Sequence, residues 1–226
     1  VCLKWSLPPT EPDERFSGIS LADQAALESA LIESESTGRP VTVVTAGPAG
    51  ADRALREGLA RGAARAIRID LGLGAPSVDV ARAVATVVAG AHHIWCGDYS
   101  ADRGSGSVPA YLAAITQRGQ ALGLVSVRAS NMTDGRIHAT RRLDGGRREQ
   151  LLIDGPAVLS VEGSVARLRR ASLAGTLSAD RASIEVVPVS HPHVDVLMSR
   201  PFRPRARVVS APRGSTALDR VREVID

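Results

Sequence analysis

The residues best suited to chemistry lie in one stretch, His92-His93-Ile94-Trp95-Cys96-Gly97-Asp98-Tyr99-Ser100-Ala101-Asp102-Arg103-Gly104-Ser105-Gly106-Ser107-Val108-Pro109-Ala110. It reads as a short apolar strand, a Gly/Ser/Asp loop, and an amphipathic helix opening near Pro109. In an open α/β sheet, ligands collect at such strand ends, where loop amides and a helix N-terminus can meet a phosphate. Small side chains let the backbone come close to it. The same composition also suits a plain connection, so alone the loop does not establish a nucleotide site.

Other reactive residue types are scarce. Lys4 is the sole lysine among 28 basic residues, so there is no phosphate-gripping GxxxxGK[ST] loop and only one candidate Schiff-base amine. No Gly-x-Ser-x-Gly elbow occurs, and Gly72-Leu73-Gly74-Ala75-Pro76-Ser77 lacks the third glycine of a dinucleotide fingerprint. His191-Pro192-His193 offers two metal ligands with only Asp195 nearby, too few for a site, so no metal is expected. His92-His93 reads as one packed and one solvated histidine. Cys2 and Cys96 sit in strand-like contexts and read as buried, reduced thiols of a cytoplasmic protein; Cys96 at a strand end could instead be reactive.

These residues need a scaffold, and composition constrains it. Aromatics make up 3% of the 226 residues against 44% hydrophobic overall, so the core is built from Ala, Val, Leu and Ile, which suits α/β layers. No run approaches membrane-spanning length and no signal peptide is expected. The net charge of +4 rests almost wholly on arginine, which pairs bidentately with carboxylates and phosphates.

Val1 to Trp5 reads as a first strand and 6–20 as a loop. Leu21 to Glu35 is helical by period, capped by Ser20 or Asp23 and ended by Gly38. Strands follow at Val41–Thr45 and Ala66–Asp70, with helices to Ala60 and over Val78–Ala89. Three βα units imply a mostly parallel sheet covered on both faces. After Gly119 the texture turns to strands at Ala121–Ala129, Arg136–Leu143 and Arg147–Ile153, joined by Thr133-Asp134-Gly135 and Asp144-Gly145-Gly146 turns. Pro156–Val161 is a further strand. From Gly163 periodicity is lost until a helix at Ser215–Ile225, so 163–226 reads as an extended arm that wraps a partner, distinct from a domain over 1–162.

Several ordered motifs resemble the small (beta) subunit of electron transfer flavoproteins. Leu21-Ala22-Asp23-Gln24-Ala25-Ala26-Leu27-Glu28-Ser29-Ala30-Leu31 is similar to that family's Asn-Pro-Phe-Asp-Glu-x-Ala-Leu-Glu-x-Ala-Leu helix start. Thr45-Ala46-Gly47-Pro48 with Leu55-Arg56-Glu57-Gly58-Leu59-Ala60-Arg61-Gly62-Ala63 resembles its Gly-Pro…Leu-Arg-x-Ala-Leu-Ala-x-Gly-Ala segment. Leu143-Asp144-Gly145-Gly146 and Gly155-Pro156-Ala157-Val158-Leu159-Ser160-Val161 resemble its Asp-Gly-Gly…Leu-Pro-Ala-Val-Val-Thr run. The lysine-poor, shortened form resembles the mycofactocin-associated branch.

The resemblance implies an adenine-nucleotide alpha-hydrolase-like, Rossmann-like α/β fold with added antiparallel hairpins. It implies a structural AMP, and FAD held mainly by a separate alpha subunit, so that the chain is a carrier component and not a catalyst. Carried over, the AMP site comprises Cys2, Ser20, Leu21, Ala22, Asp23, Ala46 and the loop Ser100, Ala101, Asp102, Arg103, Gly104, Ser105, Gly106, Ser107, Val108, Pro109, Ala110. Amides of Gly104 to Ser107 would face the phosphate, although Pro109 stands where the family has glycine and has no amide to give. Arg167 to Ala174 matches the family's recognition loop for donor dehydrogenases, with Leu173 as the apolar knob and Arg169 and Arg170 steering an acidic surface. Arg142 replaces the family's usual glutamate, implying that its ion pair with the flavin domain is reversed or absent. Two other classes stay open: an enzyme of the same fold acting on ATP, and a basic nucleic-acid-binding module, the latter opposed by the shortage of stacking aromatics.

Overall fold

The computed structural model describes residues 1–7, 13–100, 102, 104–129, 136–189 and 212–225. Its helices are α1 (Leu21–Thr37), α2 (Asp52–Ala60), α3 (Ser77–Val87), α4 (Ser107–Thr116), α5 (Leu173–Arg181) and α6 (Ala217–Ile225). Its strands are β1 (Thr42–Gly47), β2 (Arg65–Asp70), β3 (His93–Gly97), β4 (Gly119–Ala129), β5 (Ile137–Arg142), β6 (Arg148–Ile153), β7 (Ala157–Val161) and β8 (Glu185–Pro188).

The strands form two groups, β1-β2-β8 and β3-β7-β4-β5-β6, parallel throughout except for β4-β5 and β5-β6. The N-terminal segment joins them. Val44 N–H donates to Val1 O and Leu3 N–H to Val44 O on one side, while Cys2 N–H donates to Trp95 O on the other, each at 2.8 Å. The expected first strand over Val1 to Trp5 is not a regular strand: one isolated bridge, Cys2 with Val44, and these three hydrogen bonds set the segment between the two groups, because it is too short to ladder fully with either.

Side chains alternate along these strands and the segment between them with the period of 2 that a two-faced sheet demands. Leu3, Trp5, Val43, Ala66, Trp95 and Leu159 point into a core closed by α1 and α2 residues such as Leu27, Leu31 and Leu55. Val44, Ile67, Ile69, Ile94, Cys96 and Val158 point into the opposite core, closed by Ala81, Val84 and Leu112 of α3 and α4. The chain therefore winds from the N-terminal segment toward β2 with helices on one face, then returns to β3 with helices on the other. The reversal falls between the N-terminal segment and β3, where such sheets open a crevice at the strands' carboxyl ends.

Local signals account for the ends of α1. Ser20 Oγ accepts the Asp23 amide at 3.0 Å, and Gly38, at φ +71°, closes the helix. Asp144-Gly145-Gly146 makes the β5–β6 turn, both glycines at positive φ and Leu143 N–H donating to Arg147 O. The Thr133-Asp134-Gly135 turn lies outside the described residues.

One expectation needs correction. Residues 163–189 are not an extended arm: α5 packs on α2, and β8 pairs in parallel with β2 as Ile67↔Glu185 through Asp70↔Pro188. The division into compact units falls at His191/Pro192, not at 162/163. In the second unit, Thr216 Oγ1 accepts the Asp219 amide and Asp219 Oδ2 accepts the Thr216 amide, a reciprocal cap opening α6. Among the described residues, no helix is long and apolar enough to cross a membrane.

Candidate functional site

A cleft opens at this switch point, about 1020 Å³ including its mouth. Its floor is Cys2, Val44, Ala46 and Cys96; one wall is Leu71–Ala75 with Ser77, and the other is the β3–α4 loop. Of the residues carried over from the resemblance, Cys2, Asp23, Ala46, Ser100, Asp102, Ser105, Gly106, Val108 and Pro109 line it. Ser20, Leu21, Ala22, Gly104, Ser107 and Ala110 lie beside it and not in its lining. Ala101 and Arg103 are outside the described residues.

The loop is held by its own backbone. Gly104 N–H donates to Ser100 O at 2.8 Å and Ser100 N–H to Ser105 O at 3.0 Å. A Cβ on Gly106 would stand 1.7 Å from Asp98 O, so glycine is obligatory where the loop folds onto the end of β3. This alters the expected phosphate contacts. The Gly104 amide is already used, and Ser105 N–H reaches Ser100 Oγ at 3.4 Å. In the first turn of α4, Ser107 and Val108 carry amides that have no intrahelical acceptor, and Pro109 at the third position carries none. A proline there does not disturb the helix, whose first turn leaves its amides without intrahelical partners, but one anion donor is missing.

Asp23 is the buried charge of the site, 6% exposed. Its carboxylate accepts from Ser20 Oγ at 3.0 Å, from Lys4 N–H at 3.4 Å and from Gly97 N–H. Burial nevertheless outweighs these donors and pushes its pKa up to about 6. A Cβ on Gly97 would come within 2.8 Å of Asp23 Oδ1, which explains the glycine at the end of β3. Beyond it, burial and the nearby Glu162 carboxylate push the Asp98 carboxyl upward.

Three lining features escape the sequence reading. Lys4 Nζ pairs with Asp102 at 2.6 Å, pinning the loop to the N-terminal segment. The Leu71–Ala75 wall was visible only as a failed dinucleotide fingerprint, and Tyr99 as an ordinary loop residue.

On the opposite end of the sheet, His93 is buried while His92 is half-buried. His93 Nδ1 lies 2.6 Å from Glu33 Oε1 and its Nε2 3.1 Å from Gly155 O; Trp95 Nε1 donates to Glu33 Oε2 at 2.7 Å. Burial works against the Glu33 carboxylate, but these hydrogen bonds prevail and hold it below the usual range. Among the described residues no three metal-ligating side chains cluster; the His191, His193 and Asp195 set lies outside them.

The expected recognition residues divide. Leu173 is 77% exposed at the first position of α5, behind a Ser172 cap that accepts the Gly175 amide at 2.9 Å. A Cβ on Gly175 would meet Ala60 O at 2.4 Å, so α5 lies tight against α2 and presents Leu173 on a packed base. Arg170 is exposed. Arg169, expected to face a partner, instead binds Glu28 at 2.9 Å and also Glu35, which raise its pKa and commit it to α1. Arg142 donates to both carboxylate oxygens of Glu162 at 3.0 and 3.1 Å. Other arginines pair similarly, with Arg68 on Asp52 and Asp70, Arg65 on Glu185 and Arg141 on Glu149.

Residues 14–192 match the family model described as electron transfer flavoprotein domain. An electron transfer flavoprotein subunit beta of Methylophilus methylotrophus is 30% identical over 174 residues, covering 74% of this chain and 66% of the relative. The Mycobacterium leprae subunit of the same name is 32% identical over 164 residues (69% and 59%), and Protein FixA of Bradyrhizobium diazoefficiens is 29% identical over 171 (72% and 59%). The matched region thus spans 59–66% of these relatives' length.

Proposed function

Because the chain belongs to the electron transfer flavoprotein domain family, we propose that it is the small (beta) subunit of a two-subunit electron carrier. Electrons from dehydrogenases pass through FAD held mainly by an alpha subunit, and this chain is a rigid cradle, not a catalyst. The observation that carries the reading is the family match over 14–192 together with relatives named as beta subunits.

The cleft at the switch point is the seat of a structural AMP. Its residues suit an adenine nucleotide: an apolar floor of Cys2, Val44 and Ala46 for the base, and the Val108 amide with the Ser105 hydroxyl for the phosphate. The nucleotide does no chemistry; FAD supplies the redox centre by taking up and releasing electrons. Leu173 is the apolar knob for a donor dehydrogenase and Arg170 steers it, while Arg142, held by Glu162, offers the flavin domain no carboxylate. The donors belong to the mycofactocin-linked class and the complex is cytoplasmic.

Co-expression with a candidate alpha subunit tests this. A yellow heterodimer with flavin absorption, releasing AMP on denaturation, is the expected result. A chain that stays colourless in every pairing yet turns over ATP alone, or that binds DNA or RNA with steep salt dependence, refutes it.

A further inference from the structure

We propose that Cys2 and Cys96 form an oxidisable dithiol on the cleft floor, closed to an intramolecular disulfide by a peroxide. Strand register carries the inference. Cys2 N–H donates to Trp95 O at 2.8 Å, and in a parallel ladder that bond sets Cys2 directly beside the next residue, Cys96. Paired residues point to the same face, and both side chains enter the same core cluster and line the same cleft. Neighbouring strands run about 4.8 Å apart, inside the ~4.4–6.8 Å Cα separation that disulfides span. The two thiols lie close enough to perturb each other's titration, and both are free.

The two sulfurs differ in role. Both line the cleft, Cys96 buried and Cys2 only partly so. The neighbouring Cys96 lowers the Cys2 pKa, and the same contact with burial raises that of Cys96. Cys2 is therefore the attacking thiolate and Cys96 the resolving thiol. Cys2 Sγ attacks one peroxide oxygen; the O–O bond breaks, hydroxide departs and is protonated to water, and Cys2 becomes a sulfenic acid. Cys96 Sγ then attacks Cys2 Sγ, forming the S–S bond and breaking S–OH. The leaving hydroxide takes the Cys96 proton as a second water. Two electrons pass from the thiol pair to the peroxide.

A base seated on Cys2 would cover the thiol, so the dithiol reacts in the nucleotide-free cleft, and extraction measures the occupancy separately from the oxidation. The full nucleotide-free chain, alone and with its alpha subunit, is treated with hydrogen peroxide, then denatured, alkylated and weighed. The expected result is a loss of about 2 Da with no alkylated thiol, at a rate independent of protein concentration and reversed by dithiothreitol. Cys96→Ser leaves a Cys2 sulfenic acid that dimedone traps, and Cys2→Ser abolishes oxidation at Cys96. Two alkylatable thiols after treatment, disulfide-linked dimers, or a Cys2 sulfinic acid beside a free Cys96 would overturn it. The wild-type mass decides even if a serine variant fails to fold.

Discussion

Asp23→Asn should stabilise the protein at neutral pH and destabilise it in acid, crossing the wild type between. In the folded chain the Asp23 carboxyl titrates at about 6, against an ordinary value of 3.8, because burial costs the charged form more than its hydrogen bonds return. The sign follows from proton linkage. Between these two values the folded state holds more protons than the unfolded, so stability falls as pH rises, levelling above the folded value. A shift of roughly two units, at ~1.4 kcal/mol each, makes this about 3 kcal/mol. Asparagine removes the charge but turns an amide toward one of the donors, Ser20, Lys4 or Gly97, at a cost of about 1–2 kcal/mol. The variant is thus about 1–2 kcal/mol less stable than wild type below pH 4 and more stable by a similar amount above pH 6. Urea unfolding of both proteins from pH 3.5 to 7.5 measures the difference, in which other titrating groups cancel. A difference that stays constant across that range refutes the argument that Asp23 is a buried, strained charge.

Three further outcomes are expected. The Glu33 carboxylate, held below its usual range, contributes stability above about pH 4.5 that is lost as pH falls through its folded value; Glu33→Gln should cost about 1–3 kcal/mol at pH 7 and flatten the acid limb, read by thermal melts. Gly106→Ala sets a methyl against Asp98 O and should displace the β3–α4 loop, costing about 1–3 kcal/mol and releasing any nucleotide from the purified complex, which extraction and chromatography quantify. Leu173→Ala should leave the melting temperature within a degree or so, its side chain being 77% exposed, while slowing reduction by the donor dehydrogenase at least ~10-fold in stopped-flow measurements. An unchanged rate there would remove Leu173 from the recognition role.

What the sequence by itself determined is what short-range physics governs. Ser20 and Gly38 bound α1, β-branched residues from Val41 to Thr45 make a strand, and two glycines after Asp144 reverse the chain; each signal acts within a few residues. Three βα units in succession implied a sheet covered on both faces, and the structure places Val43 and Trp95 on one face and Val44 and Cys96 on the other. The strand–loop–helix run after His93 marked the cleft, because glycine and serine there permit close backbone packing.

Only the tertiary structure decided the rest. Glu185–Pro188 is a short, largely exposed run with no apolar period, and it is a strand only because the edge of β2 offers it partners. Arg169 looked like a surface charge until α1 brought Glu28 and Glu35 against it from more than a hundred residues away. Cys2 and Cys96 became neighbours, and Asp23 a buried acid, once the N-terminal segment inserted between β1 and β3. Those contacts join distant parts of the chain, and no local pattern encodes which strand edge a segment will find.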